Sequence, residues 1–203
     1  MSDDVDIATD GIRVVPANEA SWDDLQSILT GAAHRCQCER QRLGDHDWWY
    51  MPVDERRDLF ESETRCADPR ADATIGVVGY LGEEPIGWCA VDRRGVYGRL
   101  RGSPVPWKGR DEDKDDESVW AIACMVVRRG FRGRGITYPL VAGAAEYARR
   151  RGASAVEGYP MLAQGTKITG DEMNVGPVGP FLAAGFRQVA QPTTRRVVMR
   201  LDF

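Results

Sequence analysis

Four arginines and three glycines fall within residues 128–137, which read RRGFRGRGIT between an apolar run and a helical pattern. A strand that runs into a glycine turn and then a helix leaves unpaired N–H groups at the helix N-terminus, where the dipole also favours anions. Glycines remove Cβ atoms that would keep an anion away from these amides. Arg132 and Arg134 add charged donors at the rim. The segment therefore predicts a phosphate cradle.

Two common nucleotide loops do not fit this segment. Residues 130–137 match the spacing G-x-x-x-x-G-K-[ST], but Ile136 stands where the lysine is required. The pattern G-x-G-x-x-G fails because Tyr138 occupies the place of its third glycine. A nucleic-acid arm is disfavoured by the net charge of −4 and the pI near 5.3. A basic turn without a ligand is the alternative that stays open.

Mixed strands and helices must position this cradle. Apolar and β-branched runs predict strands over 11–17, 74–82, 85–94, 119–127, 154–160 and 194–203. Helical patterns and capping residues predict helices over 21–31, 52–66, 136–152 and 180–186. The polar, aromatic-rich connector 32–50 has no clear period. Residues 95–117 and 161–176 read as loops, the first of them solvated.

The bulk properties predict one soluble domain. We expect residues 1–10 to be disordered and 11–203 to form a single domain. Five cysteines, an odd number, suggest reduced thiols rather than a disulfide framework. No apolar run approaches the roughly 18 residues that span a bilayer, and the acidic N-terminus is unlike a secretory signal. A cytoplasmic protein that binds neither nucleic acid nor membrane is the expectation.

Three stretches together resemble a known enzyme family. Residues 119–141, VWAIACMVVRRGFRGRGITYPLV, look like the acetyl-CoA-binding core of GCN5-related N-acetyltransferases (GNAT), whose signature Arg/Gln-x-x-Gly-x-Gly/Ala spans Arg132–Thr137. Thr137 departs from this signature, because it stands where the family has a small residue. VVGYLGEEPIGWCAV resembles the family's second and third strands, and NVGPVGPFLAAGF its later motif. GWCAV, VWAIACMVV and VEGYP further resemble a poorly characterised actinobacterial-type subgroup.

The resemblance implies a fold and an activity. The fold is of the α/β (α+β) class: a central mixed, mostly antiparallel sheet of about seven strands with a splayed wedge, flanked by helices. The CoA-binding core would span about 74–203, with 32–66 on the acceptor side. The implied enzyme is an acyltransferase that moves the acetyl group of acetyl-CoA to a primary amine of a small molecule or protein. A non-catalytic acyl-CoA sensor or scaffold is the alternative, and homodimers are common in the family.

The resemblance also assigns the cofactor-binding residues. The strand end Met125, Val126 and Val127 would pair with the pantetheine amides, and an N–H near Met125 would polarise the thioester carbonyl. Asn174 and Phe181 belong to the later motif. The signature would hold the CoA diphosphate through Arg132, Gly133, Arg134, Gly135, Ile136 and Thr137.

For the proton transfers, the resemblance points to the strand that flanks the wedge. Glu157, if partly desolvated, would have a raised pKa suited to a general base. Alternatively it pairs with an arginine or binds the acceptor's ammonium group. Many family members carry a tyrosine seven residues after the asparagine of the later motif, but that position here is Phe181. Tyr159 or water is then left to protonate the departing thiolate.

The connector contributes the candidate acceptor residues. His34 and Cys36, with Cys38, carry metal-binding side chains, but the spacing lacks a second cysteine pair, so no metal is expected. Trp48 and Trp49 follow His46 and could stack on a ring or a cation. The other interpretation is that these aromatics fill the core beneath the connector.

Overall fold

The computed structural model describes residues 11–162 and 173–203. Their seven strands form one sheet in the order β1-β2-β3-β4-β5-β7-β6. The strands are β1 Ile12–Pro16, β2 Gly76–Leu81, β3 Glu84–Arg93, β4 Val119–Val127, β5 Ala155–Gly158, β6 Arg187–Thr193 and β7 Arg196–Asp202. The helices are α1 Trp22–Ile28, α2 Ala32–Cys36, α3 Glu39–Tyr50, α4 Val53–Thr64, α5 Gly98–Gly102, α6 Thr137–Arg150 and α7 Val178–Ala183.

The sheet is mixed and mostly antiparallel, as predicted. Each neighbouring pair is antiparallel except β4 and β5, which run parallel and are joined through α6. A crossover helix is what a parallel pair requires. The predicted class, sheet and single domain are thus confirmed for the described residues.

Helices cover both faces of the sheet. On one face Leu140 and Val141 of α6 lie in an apolar cluster with Ile86 of β3. On the other, Leu25 of α1 and Phe60 of α4 lie in a cluster with strand residues. Each fully buried side chain of this size stabilises the fold by about 1.5–3 kcal/mol. We call the second face the acceptor face, after the expectation that residues 32–66 lie on the acceptor side.

The sequence-based boundaries fail in three places. The connector 32–50 forms α2 and α3, because tertiary contacts hold a segment whose helical period is interrupted at Gly44, with φ of +79°. Residues 95–117 are not merely solvated: Leu100 of α5 is buried on the acceptor face. Strand β6 was not predicted, since it is a half-exposed edge strand that contains Pro192.

Two expectations fall outside the described residues. These are the disorder of residues 1–10 and most of the predicted loop 161–176, namely 163–172. All five cysteines are free thiols. No helix in the described part of the chain is long and apolar enough to cross a membrane.

Candidate active site

The glycine turn presents main-chain donors where β4 leads into α6. Gly133 and Gly135 have φ of +75° and +70°, a region in which glycine is unstrained. No group in 11–162 or 173–203 accepts a hydrogen bond from the N–H groups of residues 133–137, and no side chain caps α6. A Cβ built on Gly133 would meet nothing within 4 Å. The turn therefore has the open amides and helix dipole that a phosphate group needs.

The two signature arginines flank this turn in different ways. The Nε of Arg132 donates to the carbonyl oxygen of Val127 at 3.1 Å, so its side chain folds back over the end of β4. The guanidinium of Arg134 lies 5.5 Å from the centre of the Phe131 ring. Both side chains are exposed and add positive charge at the rim.

Strand β4 separates from β5 beside this turn. The register runs from Val119↔Ala155 to Ile122↔Gly158, where β5 ends, while β4 continues to Val127. A β-bulge at Ala123 marks the separation, and on the β3 side Met125 remains paired with Cys89. No described strand pairs with 123–127 on the other side. The predicted separation of β4 from β5 is present, and the 3₁₀ turn of residues 173–175 packs against β4.

The floor of the wedge is formed by the later motif. Phe181 is fully buried and lies 5.2 Å from Phe186, centre to centre. The space beside Gly176 is occupied by the end of the Met125 side chain, 2.3 Å from where a Cβ would stand. Asn174 lies in a short 3₁₀ turn and is half-buried. Phe181 is therefore a packing residue beneath the wedge.

Adding a methyl group to Gly158 should destabilise the wedge. Its Cβ would stand 2.1 Å from Cε1 and 2.6 Å from Cζ of Phe181, whose buried ring would have to move. We expect Gly158→Ala to lower the free energy of unfolding by about 2 kcal/mol, a typical cost of overpacking. Urea unfolding of Gly158→Ala, Phe181→Leu and the double variant tests this contact. The double variant should lose less than the sum of the two single losses, and simple additivity would contradict the clash.

Glu157 of β5 lies at the centre of a buried ion network on the acceptor face. Its carboxylate accepts hydrogen bonds from Arg94 at 3.1 Å, from Arg200 at 3.0 Å and from both terminal nitrogens of Arg110. The Tyr159 hydroxyl donates to it at 3.0 Å. Arg94 and Glu157 are completely buried. The network joins β5 and β7 to residues 94–112, which cover this part of the sheet.

The expected raised pKa of Glu157 is wrong. Burial by itself would raise the pKa, but the hydrogen bonds and charge of Arg110, the charge of Arg94 and the Tyr159 hydroxyl hold it below its ordinary value of 4.5. Opposite charges at hydrogen-bond distance favour the ionised form. At neutral pH the carboxylate is ionised and paired with arginines, one of the alternatives that the sequence left open. Its role as a base stays a prediction.

Tyr159 is equally enclosed. Burial first, and then the charge of Glu157, raise its pKa well above the ordinary value of 10. Its side chain is 1% exposed, and its hydroxyl proton is directed to Glu157. Its role as a proton donor stays a prediction.

The four predicted acceptor residues differ in their surroundings. His34 is exposed on α2 and borders a hollow whose lining contains none of the other three. Cys36 is half-buried. Trp48 lies between the guanidinium groups of Arg40 and Arg56, 5.1 and 4.6 Å from its ring centre, while Trp49 is 68% exposed. Within 11–162 and 173–203, no three His, Cys, Asp or Glu side chains are grouped to hold a metal ion.

Sequence reasoning missed a second buried polar group on the acceptor face. Cys38, just before α3, lies on β4, with its sulfur 3.5 Å from that of Cys124. The next residue, Glu39, is completely buried, and burial followed by the charge of Glu63 raises its pKa to about 8. The side chains of Glu39 and Glu63 also share a hydrogen bond, which requires that one of the two carboxyl groups is protonated. A charged residue inside an irregular connector gave no signal of such burial.

Comparison with known proteins connects these features to one family. The model of the acetyltransferase (GNAT) family matches residues 40–159, more than half of the chain. No curated protein matches the chain. The match includes β4, the glycine turn, α6 and Glu157.

Solved structures show the same fold at low sequence identity. A GCN5-related N-acetyltransferase from Kribbella flavida is 15% identical, with 95% of this chain and 98% of that chain covered and a TM-score of 0.53. The yncA protein of Salmonella typhimurium, solved with its cofactor acetyl-CoA, is 13% identical, with 95% and 94% covered and a TM-score of 0.51. A GNAT acetyltransferase from Streptococcus pneumoniae is 13% identical, with 95% and 99% covered and a TM-score of 0.51. With a splayed β4, an open glycine turn and a family match across both, the chain belongs to the GNAT family of acetyltransferases.

Proposed function

We propose that the protein transfers the acetyl group of acetyl-CoA to a primary amine by direct attack. The observation that carries this proposal is the separation of β4 from β5 next to the amides of residues 133–137, which donate to no described group. These amides and the α6 dipole would hold the diphosphate. Met125–Val127 would pair with the pantetheine amides as an added strand. Both donor sets are main-chain groups, so the cradle does not depend on Thr137 matching the family's small residue.

The reaction balances without a further reactant. The uncharged amine nitrogen attacks the thioester carbonyl carbon, the carbon–sulfur bond breaks, and CoA leaves as a thiolate. The nitrogen loses a proton to give the amide, and the thiolate takes up a proton, directly or through water, to give the CoA thiol. CoA supplies the activated acyl group. A main-chain N–H near Met125 would stabilise the negative charge that develops on the carbonyl oxygen, a contribution of about 3 kcal/mol in other acyl-transfer sites.

Glu157 and Tyr159 are the proposed polar pair beside the thioester. Glu157 is ionised and bound by three arginines. These contacts favour a role in which Glu157 positions the residues that cover the acceptor face. As a base it is weak, since its pKa lies below 4.5.

A non-catalytic acyl-CoA-binding protein is the second candidate. It is favoured by Phe181, which has no hydroxyl to protonate the thiolate, and by the arginines that engage Glu157. In this case acetyl-CoA would bind and no amine would be acetylated.

Calorimetry and a thiol-release assay separate the two candidates. We expect saturable binding of acetyl-CoA and release of the CoA thiol with at least one member of a panel of primary amines. Binding without release on any amine would support the sensor. Absence of affinity for both acetyl-CoA and CoA would contradict both candidates.

A further inference from the structure

Two cysteine thiols meet inside the acceptor face, where the connector 32–50 packs on the sheet. The sulfur of Cys38 lies 3.5 Å from that of Cys124, although the two residues are 86 positions apart in the sequence. Both side chains are buried in the apolar cluster that contains Phe60 and Trp88. The two sulfurs of a disulfide are about 2.05 Å apart, so this pair can be joined if each sulfur moves by less than about 1 Å.

The indole of Trp88 favours the reactive form of one of these thiols. Its N–H donates to the sulfur of Cys38 at 3.1 Å. The thiolate, not the thiol, is the form that attacks a disulfide. The hydrogen bond with Cys124, followed by burial, raises the pKa of Cys38 well above its ordinary value of 9, whereas the hydrogen bond from Trp88 lowers it. Cys38 thus has a donor for its thiolate, but the closed pair reacts slowly.

The backbone that carries Cys38 is held in an uncommon conformation. Gln37 and Cys38 form the corner between α2 and α3, with φ of +49° and +57°. Left-handed residues other than glycine are strained and persist only where their surroundings hold them. The amide of Gln37 exchanges hydrogen bonds with that of Gln26 at 3.0 and 3.3 Å. The strained corner thus places the sulfur of Cys38 against that of Cys124.

The connector on either side of this corner has few apolar anchors. None of the described side chains of α2 is buried. At the end of α3, Trp49 and Tyr50 are 68% and 79% exposed. Segments that bury little apolar surface open more readily than the core, and such an opening would expose both thiols to solvent. A covalent bond at Cys38 would therefore fasten a segment that apolar contacts hold weakly.

We propose that Cys38 and Cys124 form a reversible disulfide that locks the connector onto β4, with a low-molecular-weight disulfide as the oxidant. The thiolate of Cys38 attacks one sulfur of the oxidant, whose sulfur–sulfur bond breaks and releases one small thiolate. The thiolate of Cys124 then displaces the second small thiolate from the mixed disulfide. The released thiolates take up the two protons that the cysteines lose, so the oxidant is reduced to two thiols. This inference does not depend on acetyl transfer.

Oxidised glutathione tests the inference on the full chain. After incubation under native conditions, the remaining thiols are blocked with iodoacetamide, and a proteolytic digest is analysed by mass spectrometry. We expect a linked Cys38–Cys124 peptide and a fall in free thiols from five to three, because the bond consumes two. Dithiothreitol should reverse both changes. Closing so long a loop restricts the unfolded chain, so the oxidised protein should melt about 5 °C or more above the reduced protein.

A third cysteine provides the matched control. Cys66 is half-buried, and its sulfur contacts the hydroxyl of Thr64 at 3.5 Å. Cys66→Ala should keep both the linked peptide and the gain in melting temperature, whereas Cys124→Ala should lose both. The linked peptide is measured in the wild type, so the test holds even if Cys124→Ala does not fold.

The outcomes that overturn the proposal concern the bond and its effect separately. Five free thiols after prolonged incubation, or a glutathione adduct that never resolves, would show that the pair does not react. A link that involves Cys36, Cys66 or Cys89 instead of this pair would show that another thiol is the reactive one. A Cys38–Cys124 bond without a gain in melting temperature would show that it does not lock the connector.

Discussion

Replacing Gly135 by aspartate should raise the dissociation constant for acetyl-CoA at least 100-fold, or about 2.7 kcal/mol. Gly135 has φ of +70° in the turn that precedes α6. Any side chain there is strained, and a carboxylate would stand beside the amides that are proposed to hold the diphosphate. Repulsion between unit charges at 4 Å amounts to about 1 kcal/mol in water and about 4 kcal/mol near a protein surface. Calorimetric titration with acetyl-CoA measures the loss.

The same substitution at the other end of α6 is the matched control. Gly152 has φ of +82° and is exposed after the last turn of the helix. Gly152→Asp should therefore share the backbone strain, about 1–2 kcal/mol of unfolding free energy at most, while acetyl-CoA affinity stays that of the wild type. Equal affinity losses in the two variants would show that strain, rather than the cradle, explains the effect.

The glycine turn between β4 and α6 was predictable from the sequence because it is built from neighbouring residues. Glycines at 133 and 135, a preceding apolar strand and a following helix are contiguous, and main-chain amides need no partner from elsewhere. The hairpin and the central strand were readable for the same reason, since their apolar runs and turn residues are neighbours in the chain. The start of α1 is local in the same way, since Ser21 accepts a hydrogen bond from the N–H of Asp24 at 3.0 Å.

The buried polar contacts of the acceptor face could not be predicted in this way, because the residues that form them are distant in sequence and meet only after folding. Glu39 and Glu63 lie on different helices. Asp92 lies near the end of a predicted strand, and Tyr97 lies in the predicted loop that follows it. Composition alone makes each of them an ordinary surface charge or a core aromatic. Glu157 lies on a strand as predicted, but the direction of its pKa depends on arginines 43 to 63 residues away in the sequence.

Removing the Glu157 carboxylate should destabilise the protein by about 3–5 kcal/mol, the usual cost of removing one partner from a buried ion pair. Glu157→Ala would leave Glu112 as the carboxylate shared by Arg94, Arg110 and Arg200, whose side chains are only 0, 7 and 17% exposed. Glu157→Gln keeps the shape and one acceptor, and should lose about 2 kcal/mol. Denaturant unfolding of each variant measures the losses.

A glutamate with similar bonds on the surface provides the contrast. Glu146 of α6 accepts hydrogen bonds from Arg149 and Arg150, but all three side chains are exposed to solvent. Water and salt screen such pairs, so Glu146→Ala should unfold close to the wild type. A comparable loss at both positions would mean that burial does not set the strength of the Glu157 network.

The pH dependence of stability should carry the signature of Glu157 with a defined sign. Its pKa is lowered in the folded state, so between that pKa and 4.5 the unfolded chain binds more protons than the folded one. The stabilisation is fully present above pH 4.5 and is lost as the pH falls through the folded pKa. The gap between wild type and Glu157→Gln should therefore be constant from pH 5 to 7 and shrink below about 4.5, because the glutamine does not titrate. A gap that widens on acidification would mean that burial outweighs the arginines, and Glu157 would then regain the raised pKa that a general base requires.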